Sequence, residues 1–177
     1  IDMMKAYDRV EWPYLQGIMQ QLGFAEEWVS LVMRCVVPVS FQIKVNGELL
    51  PSFKPSRGMR QGDPISPMLF ILVMEPLQRM FEMATERGLL APLAAVGMKH
   101  RLSMYVDDVM LFVRPWEEDL QACVSLLNIF GEASGLRVNM AKSAAYPIRC
   151  TTEIMDRVER ISWCGVGTFP CKYLGLP

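Results

Sequence analysis

From Val39 to Phe53 the chain alternates, with Phe41, Ile43 and Val45 apolar and Gln42 and Lys44 polar. A period of two marks a strand with one face inward, and Asn46-Gly47 supplies a two-residue turn, so this stretch predicts a β-hairpin. On either side the period is helical. Tyr14, Leu15, Ile18, Met19 and Leu22 share one face, Trp12-Pro13 offers a start and Gly23 a stop. Asp8 and Glu11 have the spacing of a capping pair, which offers an earlier start. Trp28, Leu31, Val32 and Cys35 predict a second short helix that Pro38 stops. From Met68 to about Arg87 a long helix is expected, capped by Ser66 with Pro67 at its first position. It is apolar nearly all round in its first half, hence buried and central, and it is kinked at Pro76. Trp116 to Ser134, closed by Gly135, predicts another amphipathic helix. Leu136 to Ala145 follows as strand and loop, and a last short helix runs from about Glu153 to Ile161 behind Thr151 and Thr152.

Against this pattern one segment stands out. Leu102 to Val113 reads LSMYVDDVMLFV: apolar residues enter, Asp107 and Asp108 follow, and apolar residues leave. This is a strand, a tight turn and a returning strand. Asp is a common turn residue, so an acid-tipped hairpin is one reading. Adjacent carboxylates between apolar strands also repel unless a cation neutralises them, so a divalent metal site is the other. A second segment, Ser56 to Pro67, holds two glycines and two prolines among polar residues, and it places Arg60, Gln61 and Gly62 just ahead of a helix start, where backbone N–H groups favour anions. Lys142, taken by itself, is an ordinary solvated lysine.

Composition narrows the chemistry. The 177 residues, 51% of them hydrophobic, suit one domain with a real core. The longest apolar run, Met68 to Met74, is too short to span a bilayer, and no signal pattern opens the chain, so an intracellular protein is expected. Five cysteines without a CxxC pair, and His100 as the single histidine, argue against zinc or a disulfide framework. A metal here would be a hard cation on oxygen ligands, Mg²⁺ or Mn²⁺. A net charge of −1 argues against strong autonomous nucleic-acid binding. The opening at Ile1, inside an apparent strand that carries Asp2, suggests a piece of a longer polypeptide.

The element order predicts an α+β fold, with helices packed on one face of an antiparallel sheet. Should the Asp2 strand lie beside the Asp107-Asp108 hairpin, three carboxylates converge at one sheet edge. That arrangement suits two metal ions about 4 Å apart in an in-line phosphoryl transfer.

The strings IDMMKAYD, RQGDPISP, YVDD, SGLRVNMAKS and KYLGLP occur in that order along the whole chain. Together they resemble the successive palm motifs of reverse transcriptases, most of all non-LTR retrotransposons of the long interspersed type in their plant form. The resemblance implies a polymerase palm with a ferredoxin-like core over residues 1–177, truncated at both ends with fingers and thumb absent. It implies Mg²⁺, or Mn²⁺, held by Asp2, Asp107 and Asp108, and Tyr7 beneath the incoming sugar as a gate against a 2′-hydroxyl. Arg60, Gln61 and Gly62 then contact template and nucleotide, Lys142 protonates the leaving pyrophosphate, and Lys172 to Gly175 form a primer-grip turn. The implied partners are an RNA template, a DNA primer and dNTPs, in the nucleus by family analogy. Val106 departs from the family's usual Ala. The missing fingers and thumb imply little or no activity for the segment alone. Two other readings are a non-catalytic remnant serving as a folded interaction module, and a different two-metal enzyme such as a cyclase, which RQGDPISP and KYLGLP disfavour.

Overall fold

The computed structural model describes residues 1–37, 40–93, 100–162, 164–171 and 173–174. Pro38 and Val39, and Lys172 and Gly175 of the expected primer-grip turn, lie outside the described residues. Among the described residues six helices and six short strands follow in order: α1 (Ala6–Arg9), α2 (Trp12–Gln21), α3 (Glu26–Val36), β1 (Lys44–Val45), β2 (Glu48–Leu49), α4 (Ser66–Glu86), β3 (Leu102–Tyr105), β4 (Asp108–Leu111), α5 (Glu117–Ser134), β5 (Ala144–Ala145), α6 (Thr152–Ser162) and β6 (Gly165–Val166). Among the described residues no helix is long and apolar enough to cross a membrane.

The α+β expectation holds. β3 and β4 pair antiparallel, and isolated bridges extend them: Asp2 opposes Asp108, and Met3 opposes Val138. The extended segments therefore run in the order 137–139, 1–4, β4, β3. Helices α2, α4 and α5 supply the core against them through Leu15 and Met19, through Phe70, Leu77 and Phe81, and through Phe130, with Leu102 and Val109 facing from the hairpin. β5 and β6 pair parallel, outside the expected antiparallel pattern.

Local chemistry departs from the sequence reading at several helix ends. Asp8 lies inside α1, and Glu11, the residue before α2, makes no side-chain cap, so no capping box forms; Trp12-Pro13 is the start that is used. Helix α4 begins one residue early, with Ser66 inside it and buried, and the orphan N–H of Ile65 is taken by Asp63 Oδ1 at 2.9 Å. The helix passes Pro76 unbroken, and it is not apolar-buried all round: Met68 and Ile71 are 69% and 66% exposed. On α3 the buried stripe is Val29 and Val32, while Trp28, Leu31 and Cys35 face outward. The β1–β2 hairpin has the expected Asn46-Gly47 turn, both residues at positive φ, yet Phe41, Ile43 and Val45 remain exposed.

The C-terminus of α5 abuts the α1–α2 junction. Glu11 N–H donates to Ser134 O at 2.9 Å and Arg9 Nε to Gly135 O at 3.0 Å. A Cβ on Gly135 would sit 2.2 Å from Arg9 O, and its φ of +82° adds a second reason for glycine.

Two buried charges clamp the segment after α4. Asp119 accepts the Ala91 N–H with both carboxylate oxygens, at 3.2 and 3.3 Å. Arg101 grips the other side of the same residue, donating from Nη2 to Ala91 O and from Nε to Thr85 Oγ1 at 2.9 Å. Both side chains are at least 95% buried. Asp119→Ala would leave the Ala91 N–H unpaired and should destabilise the fold by about 1–3 kcal/mol. Urea denaturation measures this, and a loss under about 0.5 kcal/mol would contradict the clamp.

Candidate active site

The segment bearing Asp2 is held on both edges. The Ile1 amine donates to Val109 O at 2.7 Å and Val109 N–H returns a bond to Ile1 O at 3.0 Å. Residues 1 and 109 thus form a hydrogen-bonded pair, which makes the neighbouring Asp2–Asp108 pair the close, non-hydrogen-bonded kind, with Cα atoms about 4.5 Å apart and side chains on one face. On the other edge Met4 N–H donates to Arg137 O and Asn139 N–H to Asp2 O, both at 2.8 Å.

Ser143 completes this attachment. Its buried hydroxyl accepts the Asp2 N–H at 3.1 Å and donates to Asn139 O at 2.9 Å. Asn139 O also receives the Lys142 N–H at 3.0 Å, so one small turn holds the backbone of Asp2 and presents Lys142. The Lys142 side chain is exposed and makes no hydrogen bond or ion pair among the described residues. Nothing in the hydrophobic pattern singles out Ser143, because a buried serine carries no periodic signal.

Tyr105 pairs with Asp108, so Val106 and Asp107 form the two-residue turn. Val106 has φ +54°, a conformation that a β-branched residue adopts only under strain. Asp107 and Asp108 are exposed, and Asp2 is half-buried. Tyr7 lies flat on Phe70, with ring centroids 4.9 Å apart. Burial raises the Tyr7 pKa, and the Asp107 carboxylate adds a smaller push in the same direction. The bridge thus brings Asp2 against Asp108 at one edge of the sheet, with Asp107 beside it in the turn.

Among the described residues no three His, Cys, Asp or Glu side chains are grouped closely enough to ligate one ion. The donor set nevertheless suits Mg²⁺: the opposed carboxylates are hard oxygen ligands, and no protein cation pairs with Asp2, Asp107 or Asp108 among the salt bridges of the described residues. Magnesium commonly takes only one or two carboxylates, the rest of its shell coming from water and substrate phosphate.

The loop with Arg60, Gln61 and Gly62 is bolted to the segment after Asp2. Met59 N–H donates to Tyr7 O at 2.7 Å, Gly58 N–H to Val10 O at 2.8 Å, and Trp12 Nε1 to Gly58 O at 2.7 Å. Gly58 has no substitute here, since a Cβ would lie 2.8 Å from Asp8 O. Arg57 pairs with Glu11 at 3.1 Å, Arg60 approaches Asp63 at 3.9 Å, and Gln61 Nε2 donates to Asp8 Oδ1 at 3.3 Å. The tip residues are exposed, beside a cavity of about 240 Å³ whose wall includes Asp8, Arg57, Arg60 and Asp63.

A family model described as reverse transcriptase (RNA-dependent DNA polymerase) matches residues 1–177. The uncharacterized 149 kDa protein of transposon TX1 from Xenopus laevis is 31% identical over 144 residues, covering 81% of this chain and 11% of that protein. The Pol polyprotein of the type-2 retrotransposable element R2DM from Drosophila melanogaster is 29% identical over 143 residues, covering 80% of this chain and 13% of its own length. An uncharacterized mitochondrial protein of Arabidopsis thaliana is 39% identical over 66 residues, 36% of this chain and 54% of that one. The chain thus spans little more than a tenth of the two long relatives.

Two substitutions probe the frame. Ser143→Ala leaves the Asp2 N–H unpaired and should cost about 1–3 kcal/mol, with faster amide exchange at Asn139 and Met4; unchanged exchange at both would show that Ser143 is dispensable. Val106→Asn relieves the turn, because Asn tolerates positive φ, and should raise stability by about 1 kcal/mol in thermal melts; a lower melting temperature would refute the assigned strain.

Proposed function

The chain belongs to the reverse transcriptase family, and from that premise we propose that it is the palm of an RNA-directed DNA polymerase of a non-LTR retrotransposon. The observation that carries this reading is the bridge of Asp2 to Asp108, which brings the first acidic strand alongside the acidic turn. The substrates are dNTPs, a DNA primer and an RNA template. The shorter Arabidopsis match supports an element of plant type.

In this reading the primer 3′-oxygen bonds to the α-phosphorus of a dNTP, and the bond from that phosphorus to the pyrophosphate oxygen breaks. Two Mg²⁺ or Mn²⁺ ions held by Asp2, Asp107 and Asp108 would supply charge neutralisation and activation of the hydroxyl. Tyr7, fixed flat against Phe70, closes the space under the sugar and excludes a 2′-hydroxyl. Arg60, Gln61 and Gly62 meet the template and the nucleotide from a loop tied to the same segment as Tyr7. Lys142 Nζ gives a proton to the departing pyrophosphate.

Primer extension on an RNA template with Mg²⁺ or Mn²⁺ tests the proposal. Extension by the wild-type chain, expected to be weak for a palm segment alone, should fall at least about 100-fold in Asp107→Asn. Folded wild-type protein without extension would leave the family membership standing and favour an inactive segment, and a cyclic nucleotide product would favour a cyclase.

A further inference from the structure

We propose that Asp8 is a positioning residue for Gln61, setting the orientation of its amide toward the nucleotide; this rests on the polymerase reading above. Five polar contacts join the loop to residues 7–12, and four of them set its backbone or Arg57. Among the described residues only the 3.3 Å bond from Nε2 to Asp8 Oδ1 touches the Gln61 side chain. A carboxylate accepts and does not donate, so Asp8 can hold only the NH₂ end of the amide. The amide oxygen and the second N–H are thereby left for a ligand in one defined arrangement.

The surroundings make Asp8 suited to this task. It follows directly on Tyr7, whose carbonyl accepts the Met59 N–H at 2.7 Å, so the pair spans two segments already locked together. Its backbone fits against Gly58 closely enough that a Cβ there would reach 2.8 Å from Asp8 O. Asp8 has no other side-chain hydrogen bond and no ion pair among the described residues, although Arg57 and Arg60 share its cavity wall. An exposed acid with one partner, on a fixed backbone, has little structural duty of its own. Its effect should fall on nucleotide binding.

Steady-state primer extension with Asp8→Ala, Gln61→Ala, the double variant and Asp8→Asn provides the test, with Asp107→Asn as the control for the reading itself. Asp8→Ala should raise KM for dNTP about fivefold with kcat changed less than about twofold, the size of one lost oriented hydrogen bond. The double variant should bind no worse than Gln61→Ala, since Asp8 acts through Gln61. Asp8→Asn keeps a carbonyl acceptor and should recover most of the loss. Discrimination of dNTP from rNTP should stay at the wild-type value, because a general disturbance of α1 would move Tyr7 and relax it. An unchanged KM in Asp8→Ala, effects that multiply in the double variant, or relaxed sugar discrimination would each overturn the positioning role. A wild type without extension would overturn the polymerase reading and this role with it; a wild type that extends, with extension lost in Asp107→Asn, keeps the reading whatever Asp8 does.

Discussion

The attachment of residues 1–4 between β4 and the segment 137–139 is the constraint on which the acidic edge depends. Backbone bonds on both sides fix the register of Asp2, and register decides chemistry here: a slip of one residue would turn its carboxylate to the opposite face of the sheet. Only the observed register sets Asp2 against Asp108. A short segment has few ladder bonds with which to resist slipping. Ser143 adds one more, and it comes from a buried side chain that is itself satisfied.

The same economy appears at the loop. Arg60, Gln61 and Gly62 are exposed, and an exposed glycine-containing tip is the least ordered kind of backbone. Order is imported from below: Met59 is buried, its N–H is bonded to Tyr7, and Gly58 permits an approach that any side chain would block. Tyr7 in turn rests on Phe70, which belongs to the core of α4. A continuous path of packed or hydrogen-bonded groups therefore runs from the central helix to the loop tip, and the exposed residues are its last links.

Period and punctuation made most of this legible. The helices at Trp12, Trp116 and Thr152, the Asn46-Gly47 turn and the acidic hairpin follow from spacing and from turn chemistry that only a few residues permit. What misled was a choice among equivalent patterns. On α3 two apolar stripes one residue apart are both available, and the larger side chains of Trp28 and Leu31 pointed to the one that stays outside. Asp8 and Glu11 have the spacing of a cap, but each carboxylate has a partner far along the chain, Gln61 and Arg57, and local spacing contains no trace of such bonds. The pairing of Asp2 with Asp108 is also long-range, and nothing in the residues near Asp2 decides it: the sequence leaves it as a condition on which the meeting of three carboxylates depends.

The hairpin tip joins two costs that stability alone would not select. Val106 holds a left-handed backbone, and Asp107 and Asp108 place like charges side by side opposite a third. Each is tolerable because the strands beneath are anchored, with Val109 and Leu102 in the core. A bound cation would relieve the repulsion among the carboxylates but not the backbone strain, so the two costs answer to different conditions. The charge belongs to the acidic residues and depends on what lies beside them, while the strain is intrinsic to the turn. The anchored strands carry that strain by themselves, so the turn needs no ligand to keep its shape.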